Sequence, residues 1–71
     1  MQKIDIENLT AEDMLDLIMD HKLDVLQTRD GIIVGNSLEG SRLTGRSKDG
    51  ISEAIRSWAR KYNEMVEASN G

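Results

Sequence analysis

The chain has 71 residues, enough for one small domain, and it contains no cysteine and a single histidine. These counts exclude disulfide bonds and thiolate zinc sites, and one histidine removes most histidine-rich metal sites. The net charge is −4: residues 1–30 carry eight acids against three bases, whereas residues 31–62 carry three acids against six bases. A generic DNA-binding protein is basic overall, so nucleic acid is disfavoured as a partner.

Small size also bears on stability and location. A chain of this length buries only about 60% of the surface that its unfolded form exposes, so we expect marginal stability. Without disulfides or a metal, self-association into a homodimer or a higher oligomer is the remaining means of stabilisation. We expect no membrane span, no secretory leader and a cytoplasmic location. Residues 1–71 are predicted to form a single domain, with residues 1–8 and 68–71 as flexible ends.

The first predicted helix runs from about Ala11 to His21 or Lys22. Thr10 is placed to cap its free backbone amides, and Asp13 stands where the acid of a capping box belongs. The apolar positions share one face at helical spacing: Met14, Leu17, Ile18 and His21, with Leu15 and Met19 widening it.

Acidic residues at spacings of three and four form a ridge opposite that apolar face: Asp13, Asp16, Asp20 and Asp24. The carboxylates of such a row diverge, whereas a metal site needs oxygen ligands that converge on one ion. A solvated face is therefore the main interpretation. An acidic surface that binds a partner is the alternative.

Three short antiparallel strands are predicted next. The first covers residues 23–28, and Asp30-Gly31 predicts a tight turn because glycine adopts positive φ readily. Residues 32–34, Ile-Ile-Val, are the most β-prone triplet and predict the central strand. Residues 35–37 indicate a bulge. Glu39-Gly40 then predicts a second turn, followed by a third strand over residues 41–44.

Beyond Gly50 the sequence predicts a long amphipathic helix, with Ser47 or Asp49 as its cap. Its apolar positions recur with helical spacing: Ile51, Ala54, Ile55, Trp58, Ala59, Tyr62, Met65 and Val66. A short helix gains little from propensity alone, so this stripe must be covered. Two alternatives stay open for Trp58, Tyr62 and Met65, namely the intrachain core or an interface between two copies.

The fold class is therefore α+β, with the order α-β-β-β-α and the long C-terminal helix packed on the sheet. Both helices are expected to share one face of the three-stranded meander. The opposite face would be left partly bare or covered by a second chain.

Four features between residues 23 and 62 carry a resemblance to known proteins. They are the Asp30-Gly31 turn, the Gly40 turn, the strand end Leu43-Thr44-Gly45, and the helix entry Ile51-Ser52-Glu53-Ala54-Ile55. This pattern resembles the β-β-β-α unit of small HicB-like and phage ABA-sandwich proteins, in which a Thr-x-Gly segment leads into a helix that begins Glu-Ala. Here Thr and Gly are adjacent, and the loop to the helix is longer. The resemblance implies a small phage or prophage accessory protein and carries over no catalytic residue.

The loop at residues 40–50 is the best candidate for ligand binding. It combines bases and a hydroxyl with glycines just before a helix start, where free amides favour anions. The candidate residues are Arg42, Arg46, Ser47, Lys48 and Gly50. A nucleotide-like anion would suit them, although the Gly-Lys-Ser/Thr ending of a phosphate-binding loop is missing. A glycine turn with a soluble basic edge is the other interpretation.

No catalytic constellation is recognisable, because His21 has no nucleophile motif around it. We therefore expect a non-enzymatic protein without a cofactor. The favoured hypothesis is a phage-encoded protein that binds a host protein target in the host cytoplasm and inhibits or scaffolds it, as an anti-defence factor would. The target would meet Asp13, Asp16 and Asp20, or the basic loop. The alternative is a homo-oligomeric binder that sequesters a nucleotide-like anion at residues 40–50.

Overall fold

A computed structural model describes residues 2–38 and 40–70, with the side chain of residue 70 left out. Its helices and strands follow one another in the predicted order α-β-β-β-α. They are α1 (Ala11–Asp20), β1 (Asp24–Thr28), β2 (Gly31–Leu38), β3 (Ser41–Ser47) and α2 (Ile51–Asn70), preceded by a short 3-10 helix at Ile6–Asn8. The predicted α+β class is confirmed.

The N-terminal segment is attached to α2. The amide of Ile4 donates to Asn63 Oδ1 at 2.7 Å, and Asn63 Nδ2 donates back to the Ile4 carbonyl at 2.9 Å. Part of the segment that the sequence predicts as a flexible end is thus held in place. At the other end, residues 68–70 continue α2, and Gly71 lies outside the described residues.

The capping box of α1 is confirmed. Thr10 Oγ1 accepts the Asp13 amide at 3.1 Å, and Asp13 Oδ2 accepts the Thr10 amide at 3.0 Å. Each side chain thereby satisfies a backbone donor that the first turn of a helix leaves free. The helix ends at Asp20, and Lys22 follows with a φ of 52°, which turns the chain into β1.

The three strands form an antiparallel meander in the order β1-β2-β3. Thr28 pairs with Gly31, so the hairpin loop is Arg29-Asp30 and lies one residue earlier than predicted. The predicted bulge at residues 35–37 is wrong, because Gly35, Asn36 and Ser37 all pair in register with β3. Regular pairing of this stretch extends β2 to Leu38.

The third strand is longer than the sequence indicates. It includes Gly45, Arg46 and Ser47, which the sequence places in a loop. Gly45 faces α2, and a Cβ atom there would collide with the backbones of Ala54 and Trp58. The absence of a side chain at Gly45 therefore lets α2 lie directly on β3.

Side chains alternate along the strands, so one sheet face turns toward α2 and the other, called the open face below, turns away from it. The core lies between α2 and the first of these faces, and Met14 of α1 and Leu23 also contribute to it. Its buried apolar members are Met14, Leu23, Val34, Ala54, Ile55, Trp58, Ala59, Tyr62 and Val66.

The two helices do not share the sheet. The long helix packs on β3 and β2, whereas α1 packs against α2. The prediction that both helices share one face of the sheet is therefore wrong. The close approach at Gly45 centres α2 over β3, and α1 lies beside α2. All five residues of β1 are consequently exposed.

Candidate functional site

The residues predicted to bind an anion do not all lie at one place. Arg46 lies on the open face opposite Ile33, and Ser47 ends β3. Lys48 follows in the loop, and Gly50 precedes α2, where its carbonyl accepts the Ala54 amide at 3.2 Å. Arg46, Ser47 and Lys48 therefore lie together at one end of the sheet, and Gly50 lies nearby.

Arg42 is removed from that group. Its guanidinium reaches Asp24 Oδ2 at 3.4 Å, from β3 across β2 to β1. Gly35 lies between them on the open face and has no side chain to obstruct the crossing. Arg42 is thus partnered within the chain.

A shallow hollow forms beside the hairpin loop of β1 and β2. Its lining includes Arg46, Ser47 and Lys48, but Asp30 lies there as well. The adjoining hollow contains Arg29, Lys48 and Gly50 together with Asp30 and Asp49. Each hollow therefore has two bases, and the carboxylates beside them weaken its attraction for an anion.

The predicted caps of α2 are also corrected. Ser47 Oγ accepts the Asp49 amide at 2.9 Å, so this hydroxyl closes the loop and does not cap the helix. Gly50, with a φ of 125°, occupies the position before α2.

The aromatic residues of α2 belong to the core of a single chain. The Trp58 side chain is 0% exposed, Tyr62 is buried, and Met65 is half-buried. Of the two alternatives left open by the sequence, the intrachain core is the one that the structure shows for Trp58 and Tyr62. Their rings stack with centroids 5.3 Å apart, and both side chains are buried within one chain.

A buried polar link joins three elements at this core, and sequence reasoning missed it. Asn36 Oδ1 accepts the indole N–H of Trp58 at 2.9 Å, and Asn36 Nδ2 donates to the His21 carbonyl at 3.1 Å. The His21 ring also packs against Trp58 and Tyr62. His21, which the sequence places on the apolar face of the first helix, is half-buried and has a structural role at the end of α1. The alternation of inward- and outward-facing side chains along β2 is the sequence signal that could have identified Asn36 as inward-facing.

The acids of α1 have different roles. Asp13 is engaged in the capping box. Asp16 and Asp20 are exposed on the solvent side of the helix, and Glu12 continues their spacing of four residues toward the N-terminus. We call Glu12, Asp16 and Asp20 the acidic row.

An exposed apolar row lies beside the acidic row. It consists of Ala11, Leu15 and Met19, each one position before its acidic neighbour. Leu15 is 62% exposed and Met19 76%, the two highest values among the large hydrophobic residues that the structure describes. The apolar arc of α1 is wider than its contact with α2, so one flank of the arc stays in solvent.

A groove adjoins the apolar row where α1 meets the beginning of α2. Its lining is mostly apolar, with Arg56 at its edge: Leu9, Ala11, Met14, Leu15, Ile18, Ile51, Ser52, Ile55 and Arg56. Arg56 donates to Ser52 at 2.7 Å and to Glu53 at 3.1 Å, which holds it beside the groove.

Comparisons with family models, with curated proteins and with solved structures gave no match to this chain. The resemblance to HicB-like and phage proteins therefore stays a prediction. Within the part of the chain that the structure describes, no three His, Cys, Asp or Glu side chains are grouped to hold one metal ion. No helix in residues 2–38 and 40–70 is long and apolar enough to cross a membrane.

Proposed function

We propose that this chain is a non-enzymatic binding protein that docks on a protein target through α1 and thereby inhibits or scaffolds it. The exposed apolar row beside the acidic row is the observation that supports this function. Single exposed apolar residues are ordinary, but a contiguous apolar strip with a groove beside it is typical of an interaction surface. A phage origin and a host protein as the target are part of the same proposal.

The geometry of α1 favours a particular kind of partner. Both rows repeat every four residues, so their members rise by about 6 Å per step along the helix. A partner helix with its own apolar row and a neighbouring row of Lys or Arg would match both rows at once. One large apolar side chain of that helix would enter the groove between Leu15 and Ile51.

Charge distinguishes such a partner from a second copy of the chain. Four acids and no base lie between Ala11 and Asp20. Two α1 helices packed side by side would bring eight carboxylates together, which is unfavourable even under screening. A basic partner gains attraction from the same charges.

A nucleotide-like anion at residues 40–50 is a weaker second candidate. The two bases beside the hairpin hollow support it. The Arg42–Asp24 ion pair and the carboxylate of Asp30 favour the protein-binding function over it.

The test uses a synthetic amphipathic helical peptide of leucine and lysine, titrated into isotope-labelled protein and followed by amide shifts. We expect the largest shifts in α1 and at Ile51, and weaker binding as salt rises. Leu15→Glu should weaken binding about tenfold or more, because burying a leucine contributes about 1.5–3 kcal/mol. Asp16→Lys should weaken it through charge alone.

The matched control is Val25→Glu, which adds the same acid at an exposed apolar position of β1. This variant should bind the peptide like the unchanged protein. Shifts that concentrate on the sheet, or equal binding by Leu15→Glu and Val25→Glu, would show that α1 is not the docking surface.

A further inference from the structure

The strand β1 is exposed on both faces and along one edge. It ends the sheet, and within the described residues it pairs with β2 alone. Val25 is 46% exposed on the side of α2, and Leu26 is 59% exposed on the open face. Proline, a bulge or an inward-pointing lysine often protects such an edge, and none of these occurs in Asp24–Thr28.

We propose that β1 pairs with β1 of a second copy, antiparallel about a twofold axis at Leu26. The two three-stranded sheets would then form one continuous sheet of six strands. In this register Leu26 faces Leu26, Val25 faces Gln27, and Asp24 faces Thr28 of the other copy. A twofold interface of this kind closes on itself and limits the assembly to a dimer.

A line of apolar side chains across the open face of the sheet supports a second copy of the chain as the partner of β1. Leu26 is paired with Ile33, and Ile33 is paired with Arg46 across the sheet. In one copy this line of apolar side chains stops at the exposed Leu26. In the dimer it continues through Leu26 and Ile33 of the second copy, so four apolar side chains become contiguous, with Arg46 at each end.

The charges at β1 are compatible with self-pairing, in contrast to those of α1. Asp24 is the only charged residue of the strand, and the twofold axis places its two copies at opposite ends of the pair. Just beyond the strand, Lys22 and Asp24 of one copy lie at the same end of the pair as Arg29 and Asp30 of the other. Each end therefore carries two bases and two acids, so self-pairing brings no net repulsion.

Cross-linking tests the register directly, because the chain has no cysteine of its own. Residues opposite each other in an antiparallel pair have Cα atoms about 4.5–5.5 Å apart, within disulfide range. Leu26→Cys should therefore form a disulfide-linked dimer under mild oxidation. Leu15→Cys, which replaces a leucine of similar exposure on α1, should stay largely free of cross-links under the same conditions.

Light scattering provides the second measurement. The unchanged protein should have twice the chain mass at high micromolar concentration, and Leu26→Lys should have the mass of one chain with the same circular dichroism spectrum. A single-chain mass up to millimolar concentration would overturn the proposal, even if another protein's strand occupies the edge. A dimer that survives Leu26→Lys, or equal cross-linking of the Leu15→Cys and Leu26→Cys variants, would also overturn it.

Target binding through α1 is independent of this interface. Leu26→Lys should leave the peptide titration unchanged, and Leu15→Glu should leave the mass of the dimer unchanged. Failure of one proposal is thereby distinguishable from failure of the other.

Discussion

The stability of the fold should depend strongly on Asn36. Among the side chains that the structure describes, Asn36 is the one that is both polar and buried. Its hydrogen bonds join β2 to Trp58 of α2 and to the His21 carbonyl. Asn36→Ala removes both hydrogen bonds at once. The indole N–H of Trp58 would then remain in the core without an acceptor.

The cost of this change follows from the burial. A buried donor left unpaired costs about 1–3 kcal/mol, and the vacated volume adds on the order of 0.5–1 kcal/mol. Asn36→Ala should therefore lower the free energy of unfolding by about 1.5–4 kcal/mol. A domain of 71 residues has roughly 4–11 kcal/mol in total, so the loss is a large share.

Urea denaturation followed by circular dichroism measures the loss, and a double-mutant cycle with Trp58→Phe identifies its source. Once Trp58 has been replaced, Asn36→Ala should cost at least about 1 kcal/mol less than it does in the unchanged protein. Ser37→Ala, the exposed next residue of β2, is the control and should change stability by less than about 0.5 kcal/mol. A loss at Asn36 no larger than at Ser37, or strict additivity with Trp58→Phe, would refute the reasoning.

Two further predictions concern single backbone positions. Gly45→Ala should prevent folding or cost more than about 3 kcal/mol in thermal unfolding, because its Cβ atom would meet the backbones of Ala54 and Trp58. Gly40→Ala is the matched control. It should cost about 1 kcal/mol for its positive φ alone, since no atom lies within 4 Å of the added carbon. Equal costs at the two glycines would argue against close packing at Gly45. Thr10→Ala should cost about 1 kcal/mol and speed amide exchange in the first turn of α1, whereas Thr10→Ser should restore both values. No difference between the alanine and serine variants would mean that the cap does not stabilise the helix.

Local chemistry explains why parts of the fold were predictable. The capping box of Thr10 and Asp13 acts over three residues, and the helical stripe around Trp58 repeats within each turn. Such signals are complete within a short window of sequence. The order of helices and strands followed from them.

Side-chain partners across the fold were not predictable in the same way. Asn36 and Trp58 are 22 residues apart, and Ile4 and Asn63 are 59 residues apart. Whether Arg42 is free to bind an anion depended on Asp24, two strands away across the sheet. None of these pairings leaves a pattern in a single stretch of sequence.

The sequence by itself determined the type and order of the elements, because hydrogen bonds and apolar periodicity within each element act between near neighbours in the chain. Only the tertiary structure decided which surfaces those elements cover. The missing side chain at Gly45 lets α2 settle on β3, and that placement buries Trp58 while it leaves β1 and one flank of α1 exposed. Both proposed interaction surfaces are consequences of this packing, which arises from steric fit between distant segments.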